Sequence, residues 1–417
     1  MNERKETKFD YLIIGGGVAG TTAAETIRNN DPAGSVAIVS EEPYRLYSRV
    51  MLSKPDFFLE RIPFEKVWLK DEGWYRENKI ALLSGKKAVG LDIGEKTVHL
   101  KDGQVLRYGK LLLAPGTAVR RCNFIGADKP GIYYLRTLED AKLIIAALKQ
   151  SQKVVVIGGG FIGFEMCDLA VLAGRQTTII IREPHYWDPV LDKPSGEMIE
   201  QALKKSGVEV LLNSEVAEAA GNGKVEEVIL KDRRRIACDM VVAGIGCEPP
   251  LAWVKAAGIK TGRGILANEF LETSAKDVWT AGDAAEYQDI ILEETVMMGN
   301  WVNAQQQGRL AGLNMVGKRT PFKFVSFYTT QGLGITIAFA GDVRLNGDKR
   351  VVNRGLPAAG SYGRLIISYG EVVGATLINR TEELGVIRKL IEKDIKVSGL
   401  EDKLSDPNFD LKKLLTG

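Results

Sequence analysis

The sequence predicts an α/β protein with two parallel-sheet domains of one design and a small α+β domain at the C-terminal end. Three observations carry that expectation. The decapeptide YLIIGGGVAG at residues 11–20 returns almost letter for letter as VVVIGGGFIG at 154–163. Each copy is an apolar run, a glycine cluster and then a helical pattern, TTAAETIRNN after the first and FEMCDLAVLAG after the second. From Pro321 the pattern changes to strands, FVSFYTTQGLGITIAFAG and GRLIISYGEVVGATLIN, followed by the helical EELGVIRKLIEKDI. The tail KLSDPNFDLKKLLTG is expected to close this last domain as a short helix.

Bulk properties agree with a globular protein of several domains. At 417 residues the chain exceeds what one core usually fills. It is 45% hydrophobic and 26% charged, and its net charge of +3 gives no footing for a nucleic-acid or acidic-membrane partner. The densest basic run, KDRRR at 231–235, lies between two strand-like segments and is read as a solvated turn. The polar start MNERKETKFD resembles no signal peptide, and no apolar run approaches the ~18 residues of a membrane span, so a cytoplasmic location is expected. Cys122, Cys167, Cys238 and Cys247 show no C-x-x-C or similar spacing. Reduced, mostly buried thiols are expected, with no disulfide framework, metal site or cluster held by this chain alone.

The glycines have a physical purpose in their strand–loop–helix setting. Gly15 and Gly158 permit the tight turn, Gly17 and Gly160 let the backbone approach a pyrophosphate, and Gly20 and Gly163 let helix pack on strand. The helix N-terminus then offers free N–H groups and partial positive charge to the phosphates. The strand after the first loop, SVAIVSEEP, ends in Glu41 and Glu42, and Glu41 suits a ribose with free hydroxyls. The second, TTIIIREP, places Arg182 where an acid would mark NAD, with Glu183 one step later. Arg182 suits the 2′-phosphate of NADP and Glu183 repels it; the balance favours NAD(H) over NADP(H).

Three further segments stand in a telling order. KLLLAPGTAVR (110–120) is a strand ending in a Pro-Gly turn, DMVVAGIGCEPP (239–250) is a second of the same type, and DVWTAGDAAEY (277–287) ends a strand in Gly282-Asp283. With the two glycine loops, this order resembles the two-dinucleotide-binding-domain flavoproteins of the pyridine-nucleotide disulfide oxidoreductase superfamily, over essentially the whole chain. The resemblance implies two Rossmann-like domains, the first loop for FAD and the second for NAD(P)H, so that nicotinamide stacks on flavin. It implies an FAD-binding domain in two parts, 1–116 and 245–319, an NAD(P)-binding domain at 117–244 and an interface domain at 320–417. Beside the loop glycines, Ala19, Glu41, Arg49, Lys54, Ala114, Gly116, Gly282 and Asp283 are expected on FAD, Ile162, Arg182, Glu183 and Gly246 on the nicotinamide nucleotide, and Trp301 against the flavin or the nicotinamide pocket, with a plain core tryptophan as the alternative.

Disulfide- and peroxide-reducing members carry a reactive cysteine early in the first domain. Here that stretch reads PYRLYSRVMLSKP (43–55), without one. It is similar instead to rubredoxin and ferredoxin reductases, the flavin domain of NADH-dependent nitrite reductases and apoptosis-inducing factor. In those relatives the residues matching Arg49 and Lys54 contact the flavin, and the lysine pairs with a glutamate matching Glu165, so Lys54 and Glu165 are the expected catalytic pair. The helical GNWVNAQQQGRLAGLNMVG (299–317) would aim its positive N-terminus at the flavin pyrimidine. Hydride transfer at flavin N5 needs no protein nucleophile, which suits a chain whose only histidines are His99, in a strand, and His185, expected near the adenosine end of the second nucleotide.

Electrons entering as hydride must leave. The resemblance implies an iron–sulfur acceptor: rubredoxin, ferredoxin, or a subunit of a 2-oxoacid oxidoreductase such as phenylglyoxylate dehydrogenase. A homodimer or a place in a hetero-complex is compatible with it. Two alternatives stand beside this reading, an interaction or redox-sensing flavoprotein like apoptosis-inducing factor and a cysteine-free NADH oxidase or quinone reductase.

Overall fold

The computed structural model describes residues 7–415, so the polar start up to Glu6 and the last two residues of the tail lie outside the described residues. The chain forms two compact units. The first takes the chain up to Ser48, Glu65–Ala118 and Glu248–Ser326; the second takes Arg49–Phe64, Val119–Cys247 and the chain from Phe327 on.

In the first unit, the apolar runs become the middle of a seven-stranded sheet. Strand Thr7–Ile14 lies between Val36–Ser40 and Val105–Leu113, parallel to both, and Val278–Thr280 extends the sheet parallel to Val105–Leu113. Both faces of these strands are covered. Ile13, Ile38 and Leu112 enter one apolar cluster while Leu12, Ala37 and Leu111 enter the other. That period-two division into two cores is why the runs read as continuous apolar sequence and not as alternation. Helix Val18–Asn30 packs against helix Trp301–Met315, where Cβ atoms on Gly308 and Gly312 would meet the carbonyl oxygens of Ala19 and Ala23 at 2.1 and 2.9 Å.

The second unit repeats the plan and adds to it. Its five-stranded parallel sheet centres on Lys153–Ile157, flanked by Gln176–Ile180 and Met240–Ala243. A three-stranded antiparallel sheet follows, and the KDRRR run forms the turn between Glu227–Leu230 and Arg235–Ala237, its side chains exposed. The C-terminal segment is an antiparallel five-stranded sheet, with Phe327–Gly332 and Ile335–Gly341 forming an edge hairpin, covered by helix Leu384–Glu392. The closing tail is a short helix, Glu401–Ser405, and a 3₁₀ turn, Leu411–Leu415.

Among the described residues, no helix is long and apolar enough to cross a membrane. All four cysteines are free. Cys167 and Cys238 are buried, but Cys122 is half-buried and Cys247 exposed. The expectation of mostly buried thiols therefore holds for Cys167, on its helix, and Cys238, just after strand Arg235–Ala237, and fails at Cys247, which opens the exposed two-residue strand Cys247–Glu248.

Candidate active site

The first and last glycines of each loop leave no room for a side chain. Gly15 has φ +119°, and a Cβ there would sit 1.9 Å from the Ala114 carbonyl oxygen; one on Gly20 would sit 1.9 Å from that of Gly15. Gly158 has φ +109°, with the Gly244 carbonyl oxygen 2.5 Å from its would-be Cβ, and Gly163 meets the Gly158 carbonyl at 2.0 Å. Gly17 and Gly160 have nothing within 4 Å on that side, and neither helix start receives a side-chain cap. The orphan N–H groups of a helix's first turn need an acceptor. An open face beside uncapped N–H groups fits a pyrophosphate, and the chain has two such cradles, one in each unit.

The residues around the first cradle are placed as follows. Ala114 donates its N–H to the Ile14 carbonyl at 2.8 Å, closing the loop between the two strand ends. Gly116, with φ +67°, turns the chain away from it. Buried Gly282 has φ +81°, a Cβ there would meet the Ala19 methyl at 3.1 Å, and its N–H donates to Gln307 Oε1 at 2.6 Å. Asp283 is half-exposed beside Gly299. Glu41 stands at the exposed strand end, 2.8 Å from Lys87 Nζ. Trp301 opens its helix after the Asn300 cap and packs on the first unit's core, as a core tryptophan does.

At the second cradle, Ile162 packs against Gly244, and Gly246 has φ +98° in an exposed turn. Arg182 and Glu183 bind each other, Nε to Oε1 at 2.6 Å, with the guanidinium largely in solvent. The segment after them doubles back to the loop. The Tyr186 hydroxyl donates to the Gly160 carbonyl at 3.0 Å, and Trp187 packs edge-on against Phe161 at 4.1 Å. His185, buried next to Tyr186 and 3.0 Å from Asp188, therefore lies beside the segment that covers the loop, a placement not visible in the spacing REPHYW.

Lys54 and Glu165 meet. Pro55 disfavours helix in the residue before it, so Lys54 is extended and stands as the cap of the short helix Pro55–Phe58, which buried Phe57 and Phe58 anchor. Its ammonium donates to Glu165 Oε1. Glu165 lies on helix Phe161–Leu172, buried along most of its length, and is only 3% exposed. A buried carboxylate needs donors. Besides Lys54 it has Thr330, whose hydroxyl donates to the same oxygen at 2.8 Å. One turn on, Asp168 accepts from the Leu333 N–H at 3.0 Å, and burial pushes its carboxyl up. Tyr328, 3.8 Å from the Phe161 ring, has its phenol pushed far up by burial and by the Glu165 carboxylate, so it stays protonated. Arg49, in the same unit, donates to the Arg136 carbonyl.

Sequence reasoning brought Lys54 and Glu165 together but missed Thr330, Tyr328, Tyr186 and Trp187. The alternation in FYTTQG puts residues 328 and 330 on one face of a strand, yet nothing local says which helix that face meets.

The family model described as pyridine nucleotide-disulphide oxidoreductase matches residues 9–308, and that described as reductase C-terminal matches 327–415. The chain belongs to the pyridine nucleotide-disulphide oxidoreductase family. The biphenyl dioxygenase system ferredoxin–NAD(+) reductase component of Paraburkholderia xenovorans is 31% identical to this family member over 97% of each chain. The rubredoxin-NAD(+) reductase of Pseudomonas putida is 31% identical over 78% of this chain and 86% of its own. Among solved structures, putidaredoxin reductase in its covalent complex with putidaredoxin superposes with a TM-score of 0.92 at 26% identity, covering 99% of both chains.

Proposed function

We propose that this protein is an FAD-dependent oxidoreductase that passes electrons from NADH to an iron–sulfur carrier of the ferredoxin or rubredoxin type. The observation that carries the reading is its likeness, over 97% of both chains, to a ferredoxin–NAD(+) reductase component. Two glycine cradles for two dinucleotides support it. When bound, the flavin supplies the step this chain has no side chain for, taking a hydride from nicotinamide and releasing electrons singly.

The protein's own residues bind and orient. The first cradle, with Gly15, Gly17, Gly20, Ala19, Ala114, Gly116, Gly282 and Asp283, holds FAD, and Glu41 takes its ribose, exchanging Lys87 for the hydroxyls. The second, with Gly158, Gly160, Ile162, Gly163 and Gly246, holds NADH. Glu183 occupies the Arg182 guanidinium and so disfavours a 2′-phosphate. Arg49 and Trp301 contribute to the flavin site. Lys54, held in place by Glu165, would stabilise charge on the flavin. The division into 1–116, 117–244, 245–319 and 320–417 follows these roles, and a reductase with free thiols and a pyridine-nucleotide donor suits the cytoplasm.

The test is an anaerobic titration of the purified holoprotein with NADH and with NADPH, followed in its visible spectrum, and then addition of oxidised ferredoxin or rubredoxin. Bleaching by NADH at lower concentration, and recovery of colour on adding the carrier, is the expected result. A protein that bleaches but recovers only with oxygen or a quinone would be an oxidase, and one that neither nucleotide bleaches would overturn the reading.

A further inference from the structure

The Lys54–Glu165 pair has a third member that its sequence neighbourhood gives no hint of. Glu165 Oε1 receives two hydrogen bonds, from Lys54 Nζ and from the Thr330 hydroxyl at 2.8 Å. Thr330 is 4% exposed and lies on strand Phe327–Gly332 of the edge hairpin. The hairpin meets the helix at two places a turn apart, Thr330 on Glu165 and the Leu333 N–H on Asp168. Gly332 permits the second approach, since a Cβ there would meet the Asp168 carboxyl at 2.9 Å.

We infer that Thr330 is a positioning residue for the electron-transfer site: its hydroxyl fixes the Glu165 oxygen that holds Lys54, and so fixes where the ammonium stands. This inference rests on the function proposed above. Lys54 is 34% exposed on a flexible stem, whereas Glu165 is rigidly buried, so the carboxylate sets the position of the lysine. The last torsion of a glutamate is broad and roughly two-fold. The Tyr328 hydroxyl also bonds the Glu165 carboxylate, but Thr330 shares Oε1 with Lys54 and so fixes the oxygen on which the ammonium rests. A hydroxyl is suited to this place because it donates to a carboxylate. The Leu333–Asp168 bond holds the hairpin in register independently, so Thr330 is not needed to dock it.

The experiment compares holoprotein carrying Thr330→Val, nearly the same shape without the hydroxyl, with Thr330→Ser. Flavin midpoint potential and the rate of reduction by NADH in stopped flow are read for each. Thr330→Val is expected to lower the potential, because Lys54 is no longer held at its post. It is also expected to slow reduction about tenfold with little change in the NADH concentration giving half-maximal rate, as loss of one hydrogen bond to a charged group allows. Thr330→Ser restores both. In a Glu165→Gln background Thr330→Val adds nothing, since its effect passes through the carboxylate.

Unchanged potential and rate in Thr330→Val, or an equal further loss in the Glu165→Gln background, would overturn the inference. Should Thr330→Val fail to fold, Thr330→Ala is judged by the same potential. Failure of the underlying function looks different, because the unsubstituted protein itself would then not be reduced by NADH.

Discussion

The two glycine loops are near-copies in sequence, and the helices that follow them are used in different ways. The helix after Gly17 buries small residues against another helix, through backbone contacts that Gly308 and Gly312 allow. The helix after Gly160 buries carboxylates instead, Glu165 and Asp168, and meets a strand hairpin that supplies their donors. Shape alone satisfies the first contact, whereas the second also requires charge to be matched. The same cradle thus serves once as a packing element and once as a carrier of charge, and the electrostatic part of the proposed chemistry is on the second copy.

The sharpest way to break this comparison is to remove the cradles one at a time. Gly15→Ala places a methyl 1.9 Å from a carbonyl oxygen at φ +119°, a cost well above ~2 kcal/mol. The expected outcome is a protein purified without yellow colour, read as the flavin-to-protein absorbance ratio. Gly158→Ala, at φ +109°, is expected to keep its flavin and raise the NADH concentration for half-maximal reduction more than about tenfold. Equal loss of flavin in both variants would show that the loops do not divide the two nucleotides between them.

Lys54→Met tests the charge on the second copy. Flavin content should stay at the unsubstituted level while stopped-flow reduction by NADH slows by about tenfold or more, as loss of a placed charge predicts. Unchanged kinetics would remove Lys54 from the site. The strand end beyond the second loop gives a smaller effect. Glu183→Ala releases the Arg182 guanidinium from its 2.6 Å bond, and the ratio of NADH to NADPH efficiency should fall by about tenfold. A ratio that stays put would mean that Arg182 does not reach the ribose.

The smallest effect concerns pH. Burial holds the Asp168 carboxyl above its ordinary value, so its charged form is disfavoured in the folded protein. The penalty is absent below the carboxylate range and grows as pH rises through the folded value. Asp168→Asn should therefore gain stability relative to the unsubstituted protein on going from pH 4 to pH 7, measured by urea unfolding. Asp10, on the central strand of the first unit's sheet, and Asp31, which ends the helix after it, are held low mainly by hydrogen bonds from Ser35 and Gly34, and their contribution runs the other way, lost as pH falls. A stability difference that shrinks as pH rises would contradict the picture of Asp168 as a buried, disfavoured charge.

Much of the molecule was legible beforehand. Both strand–loop–helix units, the Gly282-Asp283 turn, the helix beginning at Trp301 and the C-terminal antiparallel sheet follow from local periodicity and glycine placement, since a φ near +110° or a 2 Å approach to backbone leaves one residue type. The second unit's aromatic cover was not legible. Trp187 stands at φ +65° and lays its ring on Phe161, an arrangement held by hydrogen bonds into its own loop and not by any repeat in the sequence.

What the sequence determined by itself is the repeated cradle, because the constraint is steric and local to a few consecutive residues. What only the tertiary structure decided is the company each cradle keeps. Glu165 meets Lys54 from 111 residues earlier and Thr330 from 165 residues later. Such contacts form only when chain closure over those distances is offset by burial of whole elements, and the residues that end up facing one another are chosen by the packing of helix on strand, not by their own neighbours in sequence.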